Sequence, residues 1–392
     1  MRLLTFTTLY PNALQASHGI FVENRLRHLL ASNQVTTSVV APVTFVPPLP
    51  GIRDRYIRLR SIPHLEERHG ISVHHPRYFL LPKVSMSAAP LSLYTAARRY
   101  ISRIMREGFD FDLIDSHYFY PDGVAAILLG RHFKKPVTIT ARGSDINILT
   151  HYTLPSRMIR WAAQEADGMI AVCQALKDSL VQLGAPPAKV QVLRNGVDLA
   201  TFSPGNRSLA RDKHGFRQTV LLSVGNLIPL KGHDLAIQAL PQVPDAQLVI
   251  VGDGPEESNL KALAIQAGVA DRVRFIGRLP QQALPELYQA ADLLLLLSSN
   301  EGMANVLLEA IACGTPVVAT NVGGTPEVVS APAIGELVDQ RNIISVAAAI
   351  NRLLARHPNR DAIRRHAENF SWDATTDGQL RLFDGILQRR AG

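Results

Sequence analysis

The chain has 392 residues, 46% hydrophobic and 19% charged, which suits a globular protein of about two domains and excludes a low-complexity chain. Cys173 and Cys313 are too few for a disulfide framework or a cysteine-rich zinc site, and no run of about 18 apolar residues is present to cross a bilayer. The net charge of +8 is uneven: residues 1–200 carry 23 Lys+Arg against 14 Asp+Glu, and residues 201–392 carry 18 against 19.

In chain order, apolar runs at 3–8, 35–41, 113–116, 137–141 and 168–172 predict strands in the first half. The runs at 190–193, 220–224, 247–251, 273–276, 293–297 and 316–319 predict the later ones. Strands this continuously apolar are buried on both faces, so they belong to parallel sheets covered by the helical segments between them. The stretch from Thr44 to Pro90 is different. Pro47, Pro48, Pro50, Pro63, Pro76, Pro82 and Pro90 interrupt it, and Arg53, Arg55, Arg58 and Arg60 make it basic, so it predicts loops and short strands. A helix follows, on which Arg99, Arg103 and Arg106 share a face, with Arg98 beside them. A polar break at about 198–218, with Pro204-Gly205 as a turn, separates two doubly wound α/β halves. Ligands of such sheets bind beyond the carboxyl ends of the strands, which places the expected site in a cleft between the halves.

The amino end has no long apolar signal segment, so the cytoplasm is the expected compartment. The basic first half is either a solvated face or a docking surface for an anionic partner such as a membrane headgroup layer. It carries no nucleic-acid-binding motif, so no nucleic-acid partner is expected. Nor does G-x-G-x-x-G follow the first strand, which argues against a dinucleotide oxidoreductase.

The densest chemical signal is Ser298-Ser-Asn-Glu301-Gly-Met-Ala-Asn305-Val-Leu-Leu-Glu309-Ala-Ile-Ala-Cys-Gly314-Thr-Pro. A buried strand runs into a polar loop, and a helix is expected to start near Met303 with Ser299 or Asn300 as its cap. Free amides at such a helix start favour an anion. Glu301 falls in the loop and Glu309 about two turns into the helix, where its carboxylate can accept hydrogen bonds from vicinal ribose hydroxyls. Cys313 reads as helix-end packing.

This glutamate pair, eight apart, resembles the E-x7-E motif of the family 4 glycosyltransferases, which have the GT-B fold of two facing Rossmann-like domains. Other segments agree in order: Asn195-Gly196-Val197-Asp198 with Phe202, Lys231-Gly232-His233 after Gly225, Gly252-Asp-Gly254-Pro255, and Gly323-Gly324-Thr-Pro-Glu327. In the first half, Ser116-His117-Tyr-Phe-Tyr-Pro-Asp-Gly123 resembles the family's catalytic His loop.

The resemblance implies a metal-independent, retaining transferase that uses a nucleotide-diphosphate sugar, UDP- or GDP-linked, as substrate and has no cofactor. Glu309 would bind the donor ribose. Glu301 would contact the sugar, among the amides of Gly302, Met303, Ala304, Asn305 and Val306. Lys231 would bind the diphosphate, with Gly254 in the adjoining turn, and His117 would face the sugar. Gly19 would let the first loop approach the phosphates. Where the family often has Arg after the Gly225 glycine this chain has Asn226, and Arg142 is expected to compensate. The acceptor would be a glycan or lipid-linked molecule, with the protein at the inner face of an anionic membrane. Residues 1–198 would be the acceptor-side domain, 199–372 the donor domain, and 373–392 a helix packing back on the first. A nucleotide-sugar epimerase or a non-catalytic nucleotide-sugar binder is the alternative on the same fold.

Overall fold

The computed structural model describes residues 1–46, 57–80 and 86–391. Arg53, Arg55, Pro47, Pro48, Pro50 and Pro82 lie outside the described residues. The chain forms two compact units, Met1–Arg194 with Asp373–Gly392, and Asn195–Trp372.

In the first unit the strands, in chain order, are β1 Arg2–Phe6, β2 Thr36–Val40, β3 Val43–Phe45, β4 Leu65–Arg68, β5 Ile71–His74, β6 Arg77–Phe79, β7 Leu113–His117, β8 Val137–Ala141, β9 Gly168–Ala171 and β10 Val190–Val192. The main sheet has the order β10-β9-β8-β7-β1-β2-β5-β4, and β3 pairs with β6 beside it. All its neighbours run parallel except β4 and β5, whose antiparallel hairpin makes an edge. That hairpin departs from the all-parallel expectation. Its β4 sequence, Leu-Glu-Glu-Arg, is largely solvated and turns through His69-Gly70, both at positive φ, too short a connection for a crossover helix.

The order reverses between β1 and β7; β2 and β7 both pair with β1 through Leu3 (Leu3↔Thr37 with β2, Leu3↔Leu113 with β7). At that point the connecting loops part and leave a crevice at the carboxyl ends. His117 is the last residue of β7 there. Gly19 heads the helix Ile20–Ala31 in the left-handed region (φ 66), and a Cβ on it would sit 2.3 Å from the Leu9 carbonyl carbon. Glycine is therefore required for the first loop to fold onto the helix start.

The helix Trp372–Ala391 belongs to this unit from Asp373 onward. Its Leu380, Leu382, Phe383 and Ile386 enter one core with Leu3, Val22, Leu26 and Leu113.

In the second unit β11 Thr219–Val224, β12 Ala246–Val251, β13 Val273–Gly277, β14 Leu293–Leu296, β15 Val317–Thr320 and β16 Gly335–Val338 form a parallel sheet of order β13-β12-β11-β14-β15-β16. The four leucines of β14 are all buried. At roughly 1.5–3 kcal/mol per buried leucine, they fix this strand at the sheet centre. Here the order reverses between β11 and β14, so the loops after Val224 and Leu296 border the second crevice.

Candidate functional site

In the second unit, β11 ends at Val224 and the chain turns through Gly225-Asn226 into a short 3-10 turn, Pro229–Lys231. This turn brings Lys231 Nζ to 2.6 Å from Glu301 Oε1, an oxygen that also accepts from Ser298 Oγ at 2.7 Å. Both side chains are partly buried, at 23% and 11% exposed, so the ammonium still reaches solvent. Lys231 and Glu301, 70 residues apart, are thus brought together at the β11/β14 crevice.

The helix after β14 starts at Asn305 rather than Met303, and Ala304, not Ser299 or Asn300, stands at its cap with no side-chain cap bond. The intervening residues are used up in folding over the next loop. Gly324 N donates to Gly302 O at 2.8 Å, and Gly323 (φ 54) lies so close to Glu301 O that a Cβ would meet it at 2.0 Å. Met303 and Ala304 are buried, and Asn305 Oδ1 accepts from Asn195 Nδ2 at 2.9 Å. The amide ends of the first helical turn, Asn305 and Val306, keep the positive end of the helix dipole without a side-chain cap competing for it.

Glu309 is the fifth helical residue, one turn in rather than two. It is 7% exposed; Tyr288 OH donates to Oε2 at 2.8 Å and Gln281 Nε2 to Oε1 at 3.0 Å. Burial raises its carboxyl above the ordinary range, and these two donors offset part of that rise. Each carboxylate oxygen keeps a second lone pair for a ligand hydroxyl.

Asn226 Oδ1 accepts from Arg278 Nη2 at 3.2 Å, and Arg278 also donates to Asp253 at 2.6 Å. A guanidinium therefore stands at Asn226 within this unit, delivered from the end of β13. Gly254 lies on the Leu227 backbone, where a Cβ would approach Leu227 O to 2.4 Å. Its glycine serves close packing of two loops.

In the first unit His117 is 1% exposed. Arg142 Nη2 stands 2.7 Å from His117 Nδ1, and Asp115 Oδ2 stands 3.3 Å from Nε2. A guanidinium has no acceptor, so Nδ1 carries the lone pair and the ring proton sits on Nε2, facing Asp115. Burial, with the Arg142 and Arg25 charges, pushes His117 down to about 4, and the ring is neutral at physiological pH. Burial alone would raise the Asp115 carboxyl; contacts with His117, Arg25 and Thr138 more than offset it and leave it low. A neutral His117 contributes an N–H donor to that balance, and Arg25 the charge.

Arg142 is half-buried over the Phe21 ring, its Cζ 5.2 Å from the centroid. Asp145 holds its backbone: Arg142 N and Gly143 N donate to Oδ1 at 3.1 and 2.8 Å, and Phe119 N to Oδ2 at 2.8 Å. Asp145 thus ties the loops after β7 and β8 together as a turn cap.

Two family models match, the Glycosyltransferase Family 4 model over residues 30–201 and the Glycosyl transferases group 1 model over residues 206–370. A relative from Mycobacteroides abscessus, named D-inositol 3-phosphate glycosyltransferase, is 34% identical over 315 residues, covering 75% of this chain and 70% of its own. The chain belongs to the family 4, group 1 glycosyltransferases. A relative of the same name from a Mycobacterium species, strain KMS, is 40% identical over 280 residues, covering 67% of this glycosyltransferase and 63% of the relative. The chain thus spans roughly two thirds of the length of these relatives.

Among solved structures, sucrose-phosphate synthase from Thermosynechococcus elongatus aligns with a TM-score of 0.81 at 20% identity, covering 99% of each chain. Anabaena HepE in complex with UDP aligns at 0.75 and 20% identity, covering 98% of this chain and 100% of that one. These likenesses establish the fold that the glycosyltransferase shares with them.

Sequence reasoning missed Ser298, Tyr288, Gln281, Arg278, Asp115, Arg25 and Gln379. Asp115 was findable, since it sits two residues before His117 on a strand and so shares its face. Gln379 reaches Asp115 across 264 residues, and nothing local signals it.

Proposed function

We propose that this glycosyltransferase moves a sugar from a nucleotide-diphosphate sugar, UDP- or GDP-linked, to an acceptor hydroxyl with retention of configuration and without a bound metal. The observation that carries the reading is the Lys231–Glu301–Ser298 cluster at the β11/β14 crevice beside an uncapped helix start. A diphosphate there would take Lys231 as its counter-charge, and its departing negative charge would meet a cation already in place. Glu301, released from Lys231, would accept from a sugar hydroxyl, and Glu309, held by Tyr288 and Gln281, from the ribose. That solved neighbours are Anabaena HepE with UDP and with UDP-glucose supports a uridine donor. Arg278 beside Asn226 supplies a second cation within the donor unit; Arg142, paired with His117 in the first unit, would add its charge at the diphosphate, and His117 would face the sugar. Proton transfer goes from the acceptor hydroxyl to the leaving phosphate, and no protein nucleophile is assigned.

The acceptor is a glycan or lipid-linked molecule, held by the first unit. Arg99, Arg103 and Arg106 are exposed on the helix Ala89–Arg106, Arg103 paired with Glu107, and Leu91 is exposed on the same helix. Such a basic and apolar surface suits the inner face of an anionic membrane. Among the described residues no helix is long and apolar enough to cross one. The names of the relatives favour a second acceptor class, an inositol phosphate.

The deciding experiment is a thermal-shift panel of UDP, GDP, ADP and NAD, followed by transfer assays with the matching sugar nucleotide, with and without EDTA, on glycan, lipid-linked and inositol phosphate acceptors. A shift with one diphosphate and EDTA-resistant transfer to an α-linked product is the expected result. Silence with every diphosphate, or turnover lost in EDTA, overturns the corresponding part of the reading.

A further inference from the structure

The His117–Arg142 pair is tied to a residue that the sequence motifs do not single out. Gln379, on the helix Trp372–Ala391, is 1% exposed. Its Nε2 donates to Asp115 Oδ2 at 3.1 Å, and its Oε1 accepts from Arg25 Nε at 3.0 Å. The reverse amide orientation would set oxygen against carboxylate and N–H against guanidinium, so the partners fix it. Asp115 Oδ1 accepts from Thr138 Oγ1 at 3.0 Å. The continuous series is therefore Arg25, Gln379, Asp115 and His117, all buried, ending on the half-buried Arg142.

We propose that Gln379 is a positioning residue: its amide locks Asp115 and Arg25 in the arrangement that orients the His117 ring and, through it, the Arg142 guanidinium. This rests on the reading that His117 faces the transferred sugar with Arg142 beside it.

The chemistry of the position supports it. The series needs one acceptor and one donor on the same planar fork, at a depth where water does not compete, and Gln supplies both. A glutamate would satisfy Arg25 but set a second carboxylate against Asp115. A methionine of similar length would satisfy neither, and would leave Arg25 Nε unpartnered beside Nη1 and Nη2, which are already buried without partners. Losing the Gln379 donor frees Asp115 Oδ2 to rotate toward other donors, and the His117 N–H loses its fixed acceptor. Arg142 is the next group to move, because Nδ1 is its hydrogen-bonding partner on the strand side.

The test reads the imidazole directly as well as activity. His117 nitrogen resonances, assigned by difference from His117→Asn, are followed with pH in the full chain. The charged and titratable groups around the ring are Asp115 on its own strand, Arg142 and Asp145 from the loop after β8, Arg25 from the helix Ile20–Ala31, and Asp122 and Tyr118 beyond β7. In the wild type the expected signature is a single neutral Nε2–H tautomer with no titration between pH 5 and 8. A ring that titrates in that range in the wild type overturns the proposal, and this measurement needs no variant to fold.

In Gln379→Met the His117 signals are expected to shift and kcat to fall about ten-fold or more, with UDP affinity unchanged. In Gln379→Glu the His117 midpoint is expected to rise by about one pH unit or more. Unchanged His117 signals in a folded Gln379→Met overturn the proposal. Shifted signals with unchanged turnover support the relay and refute instead the reading that His117 faces the transferred sugar.

Discussion

Glu309→Gln should move stability and ligand affinity in opposite directions. In the unliganded protein the Glu309 carboxyl is buried, and burial raises it above its ordinary value despite the Tyr288 and Gln281 donors. An acid raised on folding contributes stability that is fully present below its unfolded value and is lost as pH rises through its folded value. At pH 8 wild type therefore carries the cost of a buried charge. The amide does not: its oxygen still accepts from Tyr288, and its NH2 meets Gln281 once that amide flips. The variant's second unit should be more stable than wild type at pH 8, and the gap should close near pH 4, where the carboxyl is protonated in both states.

Nucleotide binding should weaken. A hydrogen bond to a charged acceptor contributes about 1 kcal/mol more than a neutral one, and two ribose hydroxyls are at stake, one of which would face an NH2. The loss is about 2–3 kcal/mol, or roughly 30- to 150-fold in Kd. Calorimetric titration with UDP and thermal unfolding at the two pH values measure both, with the melting of each unit fitted separately. A Kd within about three-fold of wild type would refute the ribose assignment, and a fall in both stability and affinity at pH 8 would refute the burial argument.

Three further outcomes are expected. Lys231→Met removes the ammonium 2.6 Å from Glu301 and should lower kcat about 100-fold or more while leaving uridine affinity intact, a contrast that paired titrations with UDP and uridine will check. Gly19→Ala places a methyl 2.3 Å from the Leu9 carbonyl carbon at φ 66 and should destabilise the first unit by about 2 kcal/mol or more, read as a lower Tm. Asp122, buried and pushed up to about 7, accepts from Thr8 N at 2.7 Å. Because an acid raised on folding loses its contribution as pH rises, while the depressed His117 of the same unit gains one, the Asp122 part is read as a difference: Asp122→Asn should gain urea stability relative to wild type between about pH 4 and about pH 7.

The strands of both sheets were legible where burial on two faces wrote them as apolar runs. The run at 137–141 became β8 with the same bounds, and 293–297 became β14 one residue shorter. The short strands β4 and β6 fall in the stretch expected to hold short strands, but their positions could not be read, because an edge strand solvated on one face, like Leu-Glu-Glu-Arg, has no apolar run. β16, Gly-Glu-Leu-Val, is hidden in the same way by half-burial. The Lys231–Glu301 contact was readable only as two motifs expected near one ligand; that they bind each other depends on how Pro229–Lys231 turns. The late start of the helix at Asn305 was set by the packing of Gly302 on Gly324, a tertiary contact that overrides the capping preference of Ser299 and Asn300. The series through Gln379 depends on a pairing separated by 354 residues from Arg25, and no local pattern encodes it.

The helix Trp372–Ala391 also sets an order of events during synthesis. Domains of a growing chain generally fold as each emerges from the ribosome, the amino-terminal one first. Here the first unit's core lacks Leu380, Phe383 and Ile386, and Arg25 lacks its Gln379 acceptor, until residues 373–391 have emerged. Residues 195–372 form a compact unit that does not include that helix beyond Trp372. The second unit is therefore able to finish folding first, and the first unit waits, its core incomplete, until the helix of residues 373–391 arrives to fill it.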